Sequence, residues 1–350
     1  MGTYELQVLE AVSMVHSPFI FRNSRFRIPY MKRVLIALAL AGSPDVHAQP
    51  SRSMFVFQNR FWLNLHQFLS GEAYGRSVRA APGLDPVTLN ASERAIWISA
   101  IDPYTDIFKP NMVFDEGHIR MANALAMTED AARLPESLDG VLGPNIVAAL
   151  KAAAPIYRAR LWPARQRDNA AWIASAKSLM QGHETAMKPA LEAALHVTWP
   201  PEPILVAVVG ETGPNSAITH SGPAGFAAHT QAAVGSPCNT GIAPLRLLFH
   251  EATHMPQVAG RIGALINDET ARQKLQPLPN LWHTLLLFTP SEIARHELGQ
   301  TEKVDYVRYP FCKLQLTPAK QTALQRDWRP YLDGKTSFEN ALHDFVRDAR

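Results

Sequence analysis

The sequence predicts an α+β protein that is mostly helical, with a short mixed sheet in its second half. Long segments before residue 199 are rich in Ala and Leu and carry apolar residues at helical spacing. A short β-branched run, ILVAVVG, follows a proline-rich boundary. The 350 residues are 47% hydrophobic and 19% charged. This is ordinary globular composition, and the chain is long enough for a large core.

The first 48 residues are not expected to belong to the folded protein. Residues 31–48, MKRVLIALALAGSPDVHA, combine a basic start, a short apolar run and a small-residue cleavage site, as in a secretory signal peptide. The alternative is a buried strand or helix. Residues 1–30 are interpreted as an upstream extension that is not structured. The protein is therefore expected to be secreted or periplasmic, with no stable membrane span after signal removal.

Charge and cysteine content bear on partners and compartment. The net charge of +3 is small, and no block of Lys and Arg occurs, so no nucleic-acid partner is expected. Cys238 and Cys312 are the two cysteines, and they do not form a Cys-x-x-Cys pair. In an oxidising compartment they could form one disulfide, and two unpaired buried thiols are the equal alternative.

Residues 49–199 are predicted to form a helical N-terminal region. Asn90 and Glu93 have the spacing of a capping box, which predicts the start of a helix. Residues 138–162 and 168–196 continue the helical pattern. The tryptophans of this region are predicted to anchor the core: Trp62, Trp97, Trp162 and Trp172. Its lone histidines are interpreted as structural: His66, His183 and His196.

The segment WPPEP, residues 199–203, predicts the boundary to a second region, because proline cannot continue a helix. ILVAVVG is then predicted to be a buried strand. The Gly-, Pro- and Ser-rich stretch that follows predicts turns and short strands, including an edge strand at HTQAAVG. Residues 242–257, IAPLRLLFHEATHMPQ, predict one helix with Pro244 tolerated in its first turn. This second region comprises residues 200–350.

The pattern His-Glu-x-x-His occurs at His250, Glu251 and His254, late in this predicted helix. Residues four apart on a helix share one face, so the two imidazoles can hold one zinc ion. Zinc lowers the pKa of a bound water towards about 7, and Glu251 can take the proton of that water as a general base. The alternative is two structural histidines on an ordinary helix.

The motif, which follows a strand, an edge strand and an apolar helix, resembles the zincin metallopeptidases over roughly residues 204–300. The resemblance implies a zincin-like catalytic half, Zn²⁺ as cofactor, and a peptide or small amide as substrate. It also implies that FAAHTQAAVG, residues 226–235, is the edge strand that pairs with an extended peptide. The metzincin subfamily is excluded, because Gln257 and Gly260 stand where its Gly and His would be.

Catalytic zinc usually has three protein ligands, and two residues are candidates for the third. The gluzincins use a Glu from a second helix, which favours Glu292. However, residues 289–292 also have the pattern of a capping box with Pro at the first helical position. His283 is the alternative and would complete a three-histidine site. Asn280 is predicted to cap a helix that contains both candidates. On one unbroken helix they would face opposite sides, so both cannot reach the metal.

A zincin also needs a donor for the developing oxyanion, and Tyr306 is the first candidate. Weaker candidates are Tyr309, His220 and His229. His296 lies four residues after Glu292 and is a candidate to orient that carboxylate.

Two further segments are interpreted as structural. Asp268 and Glu269 are assigned to the solvated face of an amphipathic helix. The C-terminal segment predicts two helices joined at YLDGK, with Trp328 and Tyr331 packed on the body.

These predictions support an exported zinc-dependent metallopeptidase in which Glu251 is the general base. One alternative is a metal-dependent amide hydrolase that does not act on peptides. A closed pocket would favour it over a long groove beside an edge strand. The other is a non-enzymatic exported binding protein, which is favoured if no third ligand converges on His250 and His254. The sequence predicts neither the substrate, nor the oligomeric state, nor the role of residues 49–199.

Overall fold

The computed structural model describes residues 53–78, 89–107, 115–129, 133–212, 217–236, 239–299 and 316–350. Ser53–Arg350 forms one compact unit. The predicted upstream extension and signal peptide lie outside the described residues, as do Tyr306, Tyr309, Cys238 and Cys312. Within the described ranges, no helix is long and apolar enough to cross a membrane.

The protein is mostly helical and contains one small mixed sheet, which confirms the α+β prediction. The strands are β1 (Phe55–Gln58), β2 (Ile204–Val209), β3 (Ala217–Ser221) and β4 (Ala228–Ala233). The α-helices are α1 (Phe61–Val78), α2 (Ala91–Ile107), α3 (Glu116–Ala126), α4 (Asp139–Leu142), α5 (Pro144–Arg160), α6 (Trp162–Leu195), α7 (Ala243–Ala252), α8 (Pro256–Arg272), α9 (Leu281–Glu297), α10 (Pro318–Ala323), α11 (Arg329–Leu332) and α12 (Phe338–Asp348). A 3₁₀ turn precedes α4 and a π-helical turn joins α10 to α11.

The sheet has the order β1-β2-β4-β3. Strands β1, β2 and β4 are parallel, and β3 is antiparallel to β4. Strand β2 confirms the buried strand predicted at ILVAVVG. Strand β4, predicted to be an edge strand, instead lies between β2 and β3 and is buried throughout. The strand at this edge of the sheet is β3, which pairs with β4. It comes from the turn-rich segment, and its sequence has no strong strand pattern of its own.

Strand β1 corrects the prediction that residues 49–199 form a purely helical region. Phe55 pairs with Ile204, so a four-residue segment from the start of this region completes the sheet of the second region. The segment is too short to show a clear period, and its partner strand is distant in sequence. Such a strand is stabilised by a neighbour that a local pattern does not reveal.

The sheet separates two hydrophobic cores, because side chains alternate between its faces. On one face, Ile204, Val206 and Val208 pack with residues of α6 to α9 and the C-terminal helices. On the other face, the alternate residues of β2, Leu205, Ala207 and Val209, pack with α1, α2, α3 and α5. Trp62, Trp97 and Trp162 are buried in this second core, which confirms their predicted role as anchors. Trp172 is half-buried and packs on the first core.

The C-terminal residues form two helical stretches, as predicted. Helices α10 and α11 run together through the π-helical turn, and α12 follows after a short break. Trp328 is fully buried and its Nε1 donates to Thr289 Oγ1 at 3.0 Å, while Tyr331 donates its hydroxyl to Ala194 O at 3.0 Å. These contacts pack the segment on the body, as expected.

Helix α8 confirms the amphipathic helix predicted around Asp268 and Glu269. Asp268 is exposed, but Glu269 is buried and accepts hydrogen bonds from Arg272 at 2.7 Å and from His343 at 2.8 Å. The assignment of Glu269 to a solvated face was therefore wrong. The guanidinium of Arg272 compensates for the burial of its carboxylate.

Candidate metal centre

Helix α7 carries the first two residues of the His-Glu-x-x-His motif. It begins at Ala243 with Pro244 in its first turn, as predicted, and buries its apolar side chains in the first core. The helix ends at Ala252, so the prediction of one helix through residue 257 was wrong. Met255 adopts φ −50° and ψ 135° because it precedes Pro256, which disfavours a helical conformation at the residue before it.

His254 therefore lies in a tight turn between α7 and α8. The backbone N–H of His254 donates to Glu251 O at 2.9 Å, a bond from residue i to i−3 that tightens the chain. The turn still keeps the two motif histidines together, because His254 Nε2 lies 3.3 Å from His250 Nε2. The two imidazoles are therefore adjacent, as the spacing predicted, although only His250 lies on the helix and His254 lies in the turn.

A third imidazole, from His283 in the first turn of α9, joins the two motif histidines. One nitrogen from each of His250, His254 and His283 lies within 4.8 Å of the others. The His283 ring centroid is 5.2 Å from that of His250 and 4.9 Å from that of His254. A tetrahedral zinc ion with Zn–N bonds of about 2.0–2.1 Å holds its nitrogens about 3.3–3.4 Å apart. The Nε2 atoms of His250 and His254 are 3.3 Å apart, which matches this spacing, and the nitrogen of His283 lies within 4.8 Å of both.

The hydrogen bond on the far side of His250 determines which of its nitrogens can bind a metal. Nδ1 lies 2.9 Å from Leu286 O, and a carbonyl oxygen only accepts, so Nδ1 carries the proton. In the neutral ring, Nε2 then presents its lone pair towards His254. Metal-binding histidines usually have such a backbone or carboxylate partner on their other nitrogen.

The electrostatic environment keeps the other two rings in the neutral form that metal binding requires. Burial, together with neighbouring His250 and His283, holds the pKa of His254 well below its usual value. Burial also lowers the pKa of His283 to about 3, with smaller contributions from His250 and Lys320. At neutral pH both rings therefore have lone pairs free to bind a metal. Three imidazoles are a donor set that fits zinc.

Glu251 lies beside the triad and is itself buried. Its Oε2 accepts a hydrogen bond from Thr219 Oγ1 at 2.6 Å. Its Oε1 accepts no hydrogen bond from the described residues. Burial raises the pKa of the carboxyl group, while His250 and the bond from Thr219 oppose that rise. One carboxylate oxygen is thus anchored by Thr219, and the other has no hydrogen bond from the described residues.

Glu292, the preferred third ligand from the sequence, is used elsewhere. It is 1% exposed on α9, and its Oε2 lies 3.0 Å from Arg295 Nε and 2.6 Å from Arg329 Nη2. Residues 283 and 292 belong to one continuous helix, so their side chains face opposite sides of it, as predicted. Pro290 lies inside this helix, so residues 289–292 do not form the capping box of a new helix. A buried carboxylate is stable when cations pair with it, and Glu292 has two. The geometry therefore favours His283.

The other predicted residues of this helix also have different roles. Helix α9 begins at Leu281, as predicted, but Asn280 makes no side-chain cap and adopts a left-handed conformation at φ 54°. His296 Nε2 lies 2.8 Å from Arg295 Nη2 and 3.8 Å from Asp333 Oδ1. It therefore faces other charged groups, and the candidate role of orienting Glu292 is not supported.

His220 and His229, the weaker oxyanion candidates, lie on the opposite face of the sheet from Glu251. They are paired across β3 and β4, directly beside the Thr219–Thr230 pair. Side chains alternate along a strand, and Thr219 points to Glu251, so the two histidines point to the other core. There they join His66 and His118 in a second buried cluster, with ring centroids 4.8 Å apart for His220 and His229 and 5.5 Å apart for His66 and His118.

Backbone carbonyls determine the proton positions in this second cluster. Asn123 Nδ2 donates a hydrogen bond to Ser221 O at 3.0 Å, so the Oδ1 of Asn123 faces His229 Nδ1 at 2.8 Å. This oxygen only accepts, so His229 Nδ1 is protonated and donates the hydrogen bond. His220 Nδ1 likewise donates to Ser221 O at 3.1 Å, and its Nε2 accepts from Gln231 at 3.2 Å. In the part of the chain described, three buried ring nitrogens here have no partner: His66 Nε2, His118 Nδ1 and His229 Nε2.

The second cluster differs from the triad in its geometry. Among the described residues, the group of nitrogens that converges within 4.8 Å is that of His250, His254 and His283. The sequence offered no signal for the second cluster, because its histidines come from α1, α3, β3 and β4. His66, which was interpreted as structural, does bond to another core residue, with its Nδ1 3.1 Å from the Tyr104 hydroxyl.

The second cluster predicts that acid lowers the free energy of unfolding. Burial holds the pKa values of His66, His220 and His229 below the usual value and lowers the pKa of His118 to about 4. Below about pH 6.5 the unfolded chain therefore binds more protons than the folded one. Each such histidine then costs up to about 1.4 kcal/mol per pH unit, until the pH falls through its folded pKa.

Urea denaturation of the metal-free protein at pH 7.5, 6 and 5 measures this loss. In His118→Gln the free energy of unfolding should fall less steeply with decreasing pH, because one of the contributing histidines is absent. Equal stability of the wild-type protein at pH 7.5 and pH 5 would contradict the prediction.

Comparison of the chain with known proteins finds no matching family model, no matching curated protein and no matching solved structure. The geometry of the site is therefore the basis for inferring the function.

Proposed function

We propose that this protein is a zinc-dependent hydrolase of the zincin type, acting on peptide or small amide bonds in the secreted or periplasmic space. The observation that carries the proposal is the convergence of His250, His254 and His283 beside Glu251. The ligand set differs from that of the gluzincins, since the third ligand is a histidine and not Glu292. Zinc, when bound, supplies a Lewis acid that polarises a carbonyl group and acidifies water.

Glu251 is the residue of this chain that moves the proton. Its Oε1 takes a proton from the attacking water and later passes that proton to the leaving amine. Burial raises the pKa of this carboxyl group, and shifts of this kind are common at catalytic acids and bases. Water is consumed and an acid and an amine are formed, with no covalent link to the protein.

Strand β3 supports a peptide as the substrate. It is the last strand on its side of the sheet described here, and its Thr219 contacts Glu251. The backbone of an extended peptide can pair with such an edge by adding a strand. In this proposal β3 is the edge strand that the zincin resemblance implies. Strand β4, which the sequence predicted for this role, is the neighbour of β3 inside the sheet.

Metal analysis by mass spectrometry, combined with a peptide-hydrolysis assay, tests the proposal. We expect about one zinc per chain after reconstitution. A mixture of fluorogenic peptides should be cleaved by the zinc-loaded protein and not after chelation, with activity restored by added zinc. A reconstituted wild-type protein without zinc would rule out the proposed function.

A further inference from the structure

Thr219 on β3 connects the candidate general base to the interior of the sheet. Its Oγ1 lies 2.6 Å from Glu251 Oε2 and 2.8 Å from Thr230 Oγ1 on β4. Thr219 and Thr230 are directly paired across the two strands, so their side chains share the face that α7 covers. Three side chains from three elements thus form one continuous chain of hydrogen bonds.

The direction of these hydrogen bonds follows from counting protons. In the ionised state that a general base requires, the Glu251 carboxylate only accepts, so the single hydroxyl proton of Thr219 goes to Glu251. Thr219 then has only lone pairs to offer Thr230, and Thr230 must donate. Each bond polarises the next, which strengthens the hold of Thr219 on the carboxylate. Thr230 is 1% exposed, so water does not compete with it for this bond.

We propose that Thr219, supported by Thr230, is a positioning residue that holds Glu251 through Oε2 and leaves Oε1 for the proton transfer. This inference rests on the proposed function. Thr219 bonds to the carboxylate and has no hydrogen bond to any of the three histidines. Its removal should therefore disturb the base and leave the metal site intact. Removal of a merely structural residue would not be expected to affect the base while leaving the metal site unchanged.

Acetohydroxamic acid is a suitable probe because it binds zinc through its oxygens and can also donate a proton to a neighbouring carboxylate. Its affinity for the zinc-loaded protein is measured by calorimetry for the wild type, Thr219→Val and Thr219→Ser. We expect Thr219→Val to weaken binding about tenfold, as for the loss of one hydrogen bond to a charged group, with an unchanged zinc content. Thr219→Ser should bind like the wild type, because it keeps the hydroxyl group.

A double-mutant cycle separates positioning from a general structural effect. In a Glu251→Gln background, Thr219→Val should cause no further loss of affinity, since the carboxylate that it positions is already gone. Thr230→Val keeps Thr219 in place and should weaken binding about twofold to threefold, since it removes only the supporting bond. It also serves as the test if Thr219→Val does not fold.

The outcomes distinguish this inference from the proposed function. A wild-type protein that binds no zinc overturns both. A zinc-loaded protein in which Thr219→Val and Thr230→Val bind the probe as the wild type does overturns the positioning role alone. An equal loss in the Glu251→Gln background also overturns it, because the effect of Thr219 would then not pass through Glu251.

Discussion

Replacement of His283 by Ala is expected to lower the zinc affinity of the protein by more than about 100-fold, as is replacement of either motif histidine. The three nitrogens converge within 4.8 Å, so each variant removes one of three ligands. Loss of even an outer partner of a metal ligand costs about 10–100-fold, and loss of the ligand itself should cost more. Competition with a chromogenic chelator measures the affinity, and mass spectrometry measures the zinc content.

Glu292→Gln is the control for this experiment, because it lies on the same helix as His283 and was the ligand favoured by the sequence. Its carboxylate pairs with Arg295 and Arg329, so the variant should retain about one zinc per chain. It should instead lose about 3–5 kcal/mol of unfolding free energy, since two largely buried cations lose their partner. The opposite pattern, with zinc lost in Glu292→Gln and kept in His283→Ala, would show that the third ligand is misassigned.

Glu251→Gln is expected to reduce peptide hydrolysis by about 10²–10⁴-fold, the usual contribution of general acid–base catalysis. Glutamine has nearly the same shape and can still contact Thr219, but it does not accept the proton from water. Because Glu251 is not part of the histidine triad, the variant should keep its zinc. Initial rates of cleavage, compared at equal zinc content, measure the effect.

Glu269→Gln is a matched control, because Glu269 is also a buried glutamate that accepts hydrogen bonds, but it lies on α8 and pairs with Arg272 and His343. We expect it to hydrolyse the same peptides at the wild-type rate. If Glu251→Gln retained full activity while holding zinc, another residue would have to act as the base, and the mechanism proposed here would be wrong.

Features that depend on neighbouring residues were predictable from the sequence. The spacing of His250 and His254 predicts two adjacent imidazoles, and the structure places their Nε2 atoms 3.3 Å apart. Strand β2 was predictable because all six of its residues are apolar. The helical segments followed from the periodicity of their apolar residues. Even here the boundaries differ, since Pro256 ends the motif helix before His254.

Features that depend on contacts between distant parts of the chain could not be predicted from the sequence. The choice between His283 and Glu292 depends on which side of α9 faces α7, and Arg329, far along the chain, binds the carboxylate. The position of β3 at the edge depends on the pairing of strands, and Thr219 meets Glu251 for that reason.

Local spacing and periodicity thus predicted the α+β class, the main helices and the pair of histidines. The position of His283 beside the two motif histidines, the hydrogen bond from Thr219 to Glu251 and the second histidine cluster are evident only in the folded structure. Each of these requires side chains from separate elements to meet. Such contacts form when two apolar cores are buried against the two faces of one sheet, and no short stretch of sequence predicts that arrangement.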